Sequence, residues 1–166
     1  MATTPFRLLF ICMGNICRSP AAEGVMRRLV AEANLTDQIH IDSAGTAGWH
    51  TGNLPDQRMT AAAARRQFNL TSRARQVLAS DLSTFDLALV MDHQNLHDLR
   101  PFDPDGRFQK KVRLFCEFCT DHKDTEVPDP YYGGPEGFEH VLNLLEDGCK
   151  NLLTQIKTTL QTTPNP

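Results

Sequence analysis

Arg7-Leu8-Leu9-Phe10-Ile11-Cys12-Met13-Gly14-Asn15-Ile16-Cys17-Arg18-Ser19-Pro20-Ala21-Ala22-Glu23 passes from an apolar segment, through a cysteine and an arginine five residues apart, into a helix start. The apolar segment Arg7–Ile11 has the length and composition of a buried parallel strand. Ser19 is a good N-cap, and Pro20 suits a first helical turn because its missing N–H would be unpaired there anyway. The loop between them therefore joins a strand end to a helix N-terminus, where backbone N–H groups and the helix dipole favour an anion. Arg18 would close such a cradle with a bidentate fork. The same field would lower the pKa of Cys12 and make it a thiolate nucleophile. Taken singly, a strand-end cysteine is usually a small buried hydrophobe, and a loop arginine is usually a solvated charge. The strand before and the Ser-Pro start after favour a phosphate-binding loop over that ordinary reading.

Outward from this loop, helical spacing of Val25, Met26, Leu29, Val30 and Ala33 predicts a helix after Pro20. Residues 38–41 alternate as a second strand, which Asp42-Ser43-Ala44-Gly45 is expected to leave. Residues 56–68 favour a helix. Residues 77–80 and an Asp81-Leu82 turn lead to a strand over 86–91, and residues 92–99 predict a short helix. Pro104 and Asp105-Gly106 mark a turn, residues 112–115 a fourth strand, and 119–135 a long polar loop. Apolar residues from Phe138 to Leu160 repeat along a long amphipathic helix. Strands alternating with helices imply right-handed crossovers and a parallel sheet covered on both faces, with ligands beyond the carboxyl ends of the strands.

The chain has 166 residues, which predicts one domain over 1–161 and a disordered tail over 162–166. A net charge of -3 argues against a broad nucleic-acid surface. No apolar stretch reaches membrane-spanning length, and the N-terminus lacks the features of a signal region. Five cysteines suit a reducing compartment better than a disulfide framework, so a cytoplasmic protein is expected. Cys116 and Cys119 have redox-motif spacing and, with His122, suggest three zinc ligands without an obvious fourth. Plain packing is the favoured reading, and no metal or cofactor is expected. Cys149 should be core, and His40, His93, His97 and His140 suggest no partners.

A thiolate that attacks a phosphate ester needs a general acid for the leaving group. Asp129, between Pro128 and Pro130, is the best candidate, because the prolines restrict its backbone. Tyr131 and Tyr132 would wall an aromatic slot.

Cys12 to Ser19-Pro20, Asp42-Ser43-Ala44-Gly45 with Trp49, Phe85-Asp86, Met91-Asp92 and Asp129-Pro130-Tyr131-Tyr132-Gly133 occur in the order found in the low-molecular-weight protein tyrosine phosphatases, which the chain closely resembles. The resemblance implies a flavodoxin-like three-layer α/β fold with a four-stranded parallel sheet and helices on both faces. It implies Cys12 as nucleophile, Arg18 as phosphate binder, and Asp129 as acid and then base. It places Met13, Gly14, Asn15, Ile16, Cys17 and Ser19 in the phosphate loop. Ser43 and Asp92 would brace that loop, while Trp49, His50, Tyr131 and Tyr132 join Met13 in lining the substrate slot. Cys17 would trap oxidised Cys12 as a disulfide. Phosphotyrosine proteins or small aryl phosphates are the implied substrates, with no nucleic-acid or membrane partner and a monomer or weak self-association. Ser72 replaces a histidine that supports the loop asparagine in many members, so that support must be rebuilt. Arsenate reductase, on the same fold, is the alternative, but it needs relay cysteines, and residues 18–115 contain none. An arginine phosphatase usually has threonine at the position of Ile16. A phosphotyrosine-binding module without catalysis would not need Asp129.

Overall fold

The computed structural model describes residues 3–163. Strand β1 (Phe6–Cys12) is followed by α1 (Arg18–Glu32), β2 (Ile39–Gly45), α2 (Gln57–Arg65), α3 (Ala79–Thr84), β3 (Leu87–Val90), α4 (His93–Asp98), β4 (Val112–Leu114) and α5 (Pro135–Thr162). The strands form one parallel sheet in the order β2-β1-β3-β4. β1 is central because its residues bury on both faces. Leu8, Phe10 and Cys12 pack on one side with α1, α2 and α5, whereas Leu9 and Ile11 pack on the other with Leu82 of α3, Phe85 and Leu99. Leu8, Leu9, Phe10 and Ile11 are fully buried, each worth about 1.5–3 kcal/mol in transfer from water. The three-layer α/β architecture is the one expected.

Three local expectations need correction. β2 does not end at Asp42 but pairs with β1 as far as Cys12 opposite Gly45. Its polar residues tolerate the strand because Arg75 meets the Asp42 carboxylate at 2.9 Å and Asn15 donates to the Ser43 hydroxyl. Asp81 and Leu82 lie within α3 rather than in a turn, where the Asp81 carboxylate takes the N–H of the N-cap Leu78 at 2.7 Å. The N-cap of α1 is Cys17, not Ser19, because the Ser19 hydroxyl is turned back toward Cys12. Of the segment expected as a tail, Thr162 closes α5 and Thr163 caps it; residues 164–166 lie outside the described residues, as do Met1 and Ala2.

The sheet reverses direction of growth on either side of β1, and the carboxyl ends of β1 and β3 deliver Cys12 and the Met91-Asp92 turn to one edge. This is the position at which parallel α/β sheets bind ligands.

Candidate active site

Between β1 and α1 the chain wraps around the Cys12 sulfur. Asn15 N–H donates to Cys12 Sγ at 3.3 Å, and the Ser19 hydroxyl lies 3.0 Å from the same sulfur. Asn15 adopts the left-handed conformation, φ 55°, which its short polar side chain tolerates. Both its amide donors and its amide oxygen are bonded. Nδ2 donates to Ser19 Oγ at 2.7 Å and to Ser43 Oγ at 2.9 Å, and Oδ1 accepts the backbone N–H of Arg75 at 3.0 Å. The support expected to be lost with the Ser72 replacement thus comes from a main-chain donor three residues further on. The carbonyls of Cys12, Met13 and Ile16 accept N–H groups from Thr46, Ala47 and Asp56 at 2.7–3.0 Å, which fixes the loop from outside.

Arg18, in the first turn of α1, is 3% exposed. Its NH1 donates to Asp92 Oδ2 at 2.6 Å and to the Val127 carbonyl at 3.0 Å, while NH2 stands 3.8 Å from Asp129 Oδ2. Burial alone would lower the Arg18 pKa, but Cys12 and Asp92 beside it raise it above the usual arginine value. Asp129 Oδ1 accepts the N–H of Tyr131 at 3.1 Å, so the carboxylate is aimed by its own loop.

Cys12, Met13, Gly14, Ile16, Cys17, Arg18, Trp49, His50, Asp129, Tyr131 and Tyr132 line one pocket of ≈ 200 Å³. Asn15, Ser19, Ser43 and Asp92 stand behind its wall through the bonds described. Trp49 and Tyr132 are 74% and 90% exposed and form an open rim. Concavities of ≈ 410 Å³ beside His40 and ≈ 440 Å³ beside His122 are larger, but neither is lined by a cysteine.

Cys116 and Cys119 pack toward α5, with Cys119 donating to the Leu144 carbonyl at 3.5 Å, and neither lines the pocket. Among the described residues, no three His, Cys, Asp or Glu side chains are arranged to hold a metal ion. Burial pushes the Cys17 and Cys149 thiols up.

Two of the histidines that suggested no partners, His93 and His140, have them, and so does His122. His122 meets Asp147 and His140 meets Asp124, each at 2.8 Å, and His93 meets Glu126 at 3.2 Å. All three pairs tie down the loop that carries Asp129. Asp147 also takes the N–H groups of Thr120, Asp121 and His122 at 3.0–3.1 Å. Burial opposes its charge, but these donors hold its carboxyl below the usual aspartate value. Sequence reasoning missed these anchors because each pair joins residues 16–33 positions apart, with no local periodic signal.

The sequence model of a family described as "Low molecular weight phosphotyrosine protein phosphatase" matches residues 7–162. A relative from Synechocystis is 49% identical over 150 residues, covering 90% of this chain and 96% of that one. A "Low molecular weight protein-tyrosine-phosphatase" from Streptomyces coelicolor is 42% identical, covering 92% of this chain and 94% of its own. The crystal structure of a protein tyrosine phosphatase from Entamoeba histolytica with Hepes in its active site superposes with a TM-score of 0.89 at 42% identity, covering 93% of this chain and 98% of that one. The order of motifs, the parallel sheet and these likenesses agree, and the chain belongs to the low molecular weight phosphotyrosine protein phosphatase family.

Proposed function

We propose that the protein hydrolyses phosphotyrosine in proteins, or small aryl phosphates, through a cysteinyl-phosphate intermediate. The observation that carries this reading is the convergence of the Cys12 sulfur, the Arg18 guanidinium and the Asp129 carboxylate on one pocket. Cys12 Sγ attacks phosphorus as the bond to the phenolic oxygen breaks, and Asp129 gives its proton to that oxygen. Water then attacks the phosphocysteine, Asp129 takes the proton back, and the thiolate leaves. Ser19 and the Asn15 N–H stabilise the thiolate on leaving. Arg18 and the loop amides neutralise the equatorial oxygens, the main task in a loose phosphoryl-transfer transition state.

Two features support this reading over arsenate reduction and arginine dephosphorylation. Cys116 and Cys119 are absent from the pocket lining, where a disulfide relay would need them. Ile16 narrows the pocket where an arginine phosphatase usually has threonine. We place the activity in the cytoplasm, a compartment that keeps the five free thiols reduced. Cys17, which shares the pocket with Cys12, is the partner for an oxidised nucleophile. A Cys12 sulfenic acid formed by peroxide would condense with the Cys17 thiol, releasing water and leaving a reducible disulfide.

Steady-state hydrolysis of phosphotyrosine, phosphoserine and phosphoarginine peptides tests the assignment, with thioredoxin-coupled arsenate reduction run alongside. A clear phosphotyrosine preference without reductase activity is expected. Preference for phosphoarginine, or arsenate turnover, overturns it.

A further inference from the structure

Arg58 lies in the first turn of α2, where the helix dipole disfavours a cation. Its side chain is 49% exposed, yet its guanidinium is engaged on every side. Nε and NH2 fork onto the two carboxylate oxygens of the N-cap Asp56 at 3.2 and 3.0 Å. NH1 donates to the Tyr131 carbonyl at 3.0 Å. The guanidinium carbon lies 4.8 Å from the Phe138 ring centre and 5.1 Å from that of Tyr131. Both of the segments it joins belong to the site. Asp56 N–H donates to the Ile16 carbonyl of the phosphate loop at 2.7 Å, and Tyr131 N–H donates to Asp129 Oδ1 at 3.1 Å. A continuous line of bonds therefore runs from Ile16 through Asp56, Arg58 and Tyr131 to Asp129.

We propose that Arg58 is a positioning residue for the acid step, clamping Tyr131 against the N-terminus of α2 and thereby fixing where the Asp129 carboxyl stands relative to the phosphate loop. The proposal rests on the assignment of Asp129 as general acid. Arg58 touches no reacting atom; it acts through the Tyr131 main chain. Other anchors hold the loop at its base and at Val127, whereas Arg58 holds it two residues beyond Asp129, so its loss would let the carboxyl drift without unfolding the loop. The fork matters because one group must grip a carboxylate and a carbonyl together, which a lysine ammonium does less well.

Arg58→Met keeps an apolar stem over Phe138 and removes every donor; Arg58→Lys keeps one charge. Hydrolysis of phenyl phosphate, whose leaving group needs the proton, is compared with that of p-nitrophenyl phosphate, whose leaving group hardly does. Arg58→Met is expected to lower kcat/KM, which reports the steps up to leaving-group departure, on phenyl phosphate about 10-fold, because a displacement of about 1 Å can cost up to 10²-fold. The loss on p-nitrophenyl phosphate should be distinctly smaller, inhibition by inorganic phosphate unchanged, and Arg58→Lys intermediate. In an Asp129→Ala background the Arg58→Met change should add nothing on phenyl phosphate, since no acid is left to aim. Equal losses on the two substrates, weakened phosphate inhibition, or a multiplicative loss in the double variant would each overturn the role. If Asp129→Ala alone shows no leaving-group dependence, the assignment of Asp129 is what fails, and the role of Arg58 falls with it.

Discussion

From Cys12 to Ser19 the polar side chains of Asn15, Arg18 and Ser19 are buried and bonded, whereas from Cys119 to Gly134 most positions are exposed or half-buried. The first segment is held residue by residue, and even its left-handed Asn15 is fixed from three directions. The second is pinned at separate points, by Asp147 and the two His–Asp pairs at its start, by Glu126 and Val127 near its middle, and by Arg58 at Tyr131. Under the proposed mechanism, the contrast follows from what each segment must do. Stabilising charge on a phosphoryl group demands donors that need no rearrangement during reaction. Delivering a proton to varied leaving groups only requires one carboxyl near the pocket mouth, and an exposed rim lets bulky substrates reach it.

Cys12→Ser should have the largest effect, abolishing turnover while inorganic phosphate still raises the melting temperature. Hydrolysis near the wild-type rate would remove Cys12 from its role. Asp129→Ala should cost about 10²–10⁴-fold on phenyl phosphate and much less on p-nitrophenyl phosphate, again with phosphate binding intact. Equal losses would place the acid elsewhere. Asn15→Ala puts a strained residue at positive φ and removes three bonds, with an expected cost of about 2 kcal/mol or more. Both thermal stability and phosphate affinity should fall. Asp147→Ala should destabilise by about 1–3 kcal/mol, since several main-chain donors lose their acceptor. Its phosphate affinity should stay unchanged. If the last two variants affected phosphate binding alike, the division between a rigid cradle and a pinned acid loop would collapse.

The cradle was legible because its parts are contiguous: strand, glycine-containing loop and helix start lie within seventeen residues, and local rules cover each. The parallel sheet with helices on both faces followed from the alternation of strands and helices, whereas the order of its strands is visible only in the fold. Ser19 was misassigned as a cap because its identity fits both jobs, and only the fold shows the Cys12 sulfur within its reach. Asp81 looked like a turn residue because its bond to the Leu78 N–H is a helix-start device with the same composition. Arg58 and Arg75 were missed altogether. Each acts by joining elements distant in sequence, Arg58 to Tyr131 and Arg75 to Asn15 and Asp42, and one sequence read locally carries no trace of such pairing.

Behind the cradle, on α1, Glu23 is 4% exposed, with Oε1 unpartnered and Oε2 3.5 Å from Arg27. Burial raises its carboxyl pKa above the ordinary 4.5 despite Arg27. The folded chain therefore binds this proton more tightly than the unfolded chain, and Glu23 weakens the fold as pH rises through its raised value. Asp147 and Asp56 lean the other way. Their carboxyls are held below the ordinary 3.8, so what they contribute is present above that pH and lost beneath it. Glu23→Gln should accordingly raise the melting temperature at pH 7 and leave it unchanged at pH 4; a loss at pH 7 would show that the charge is welcome there. The back of the cradle is thus favoured by acid and the tethers around it by its absence, which leaves a mildly acidic window in which both are at their firmest.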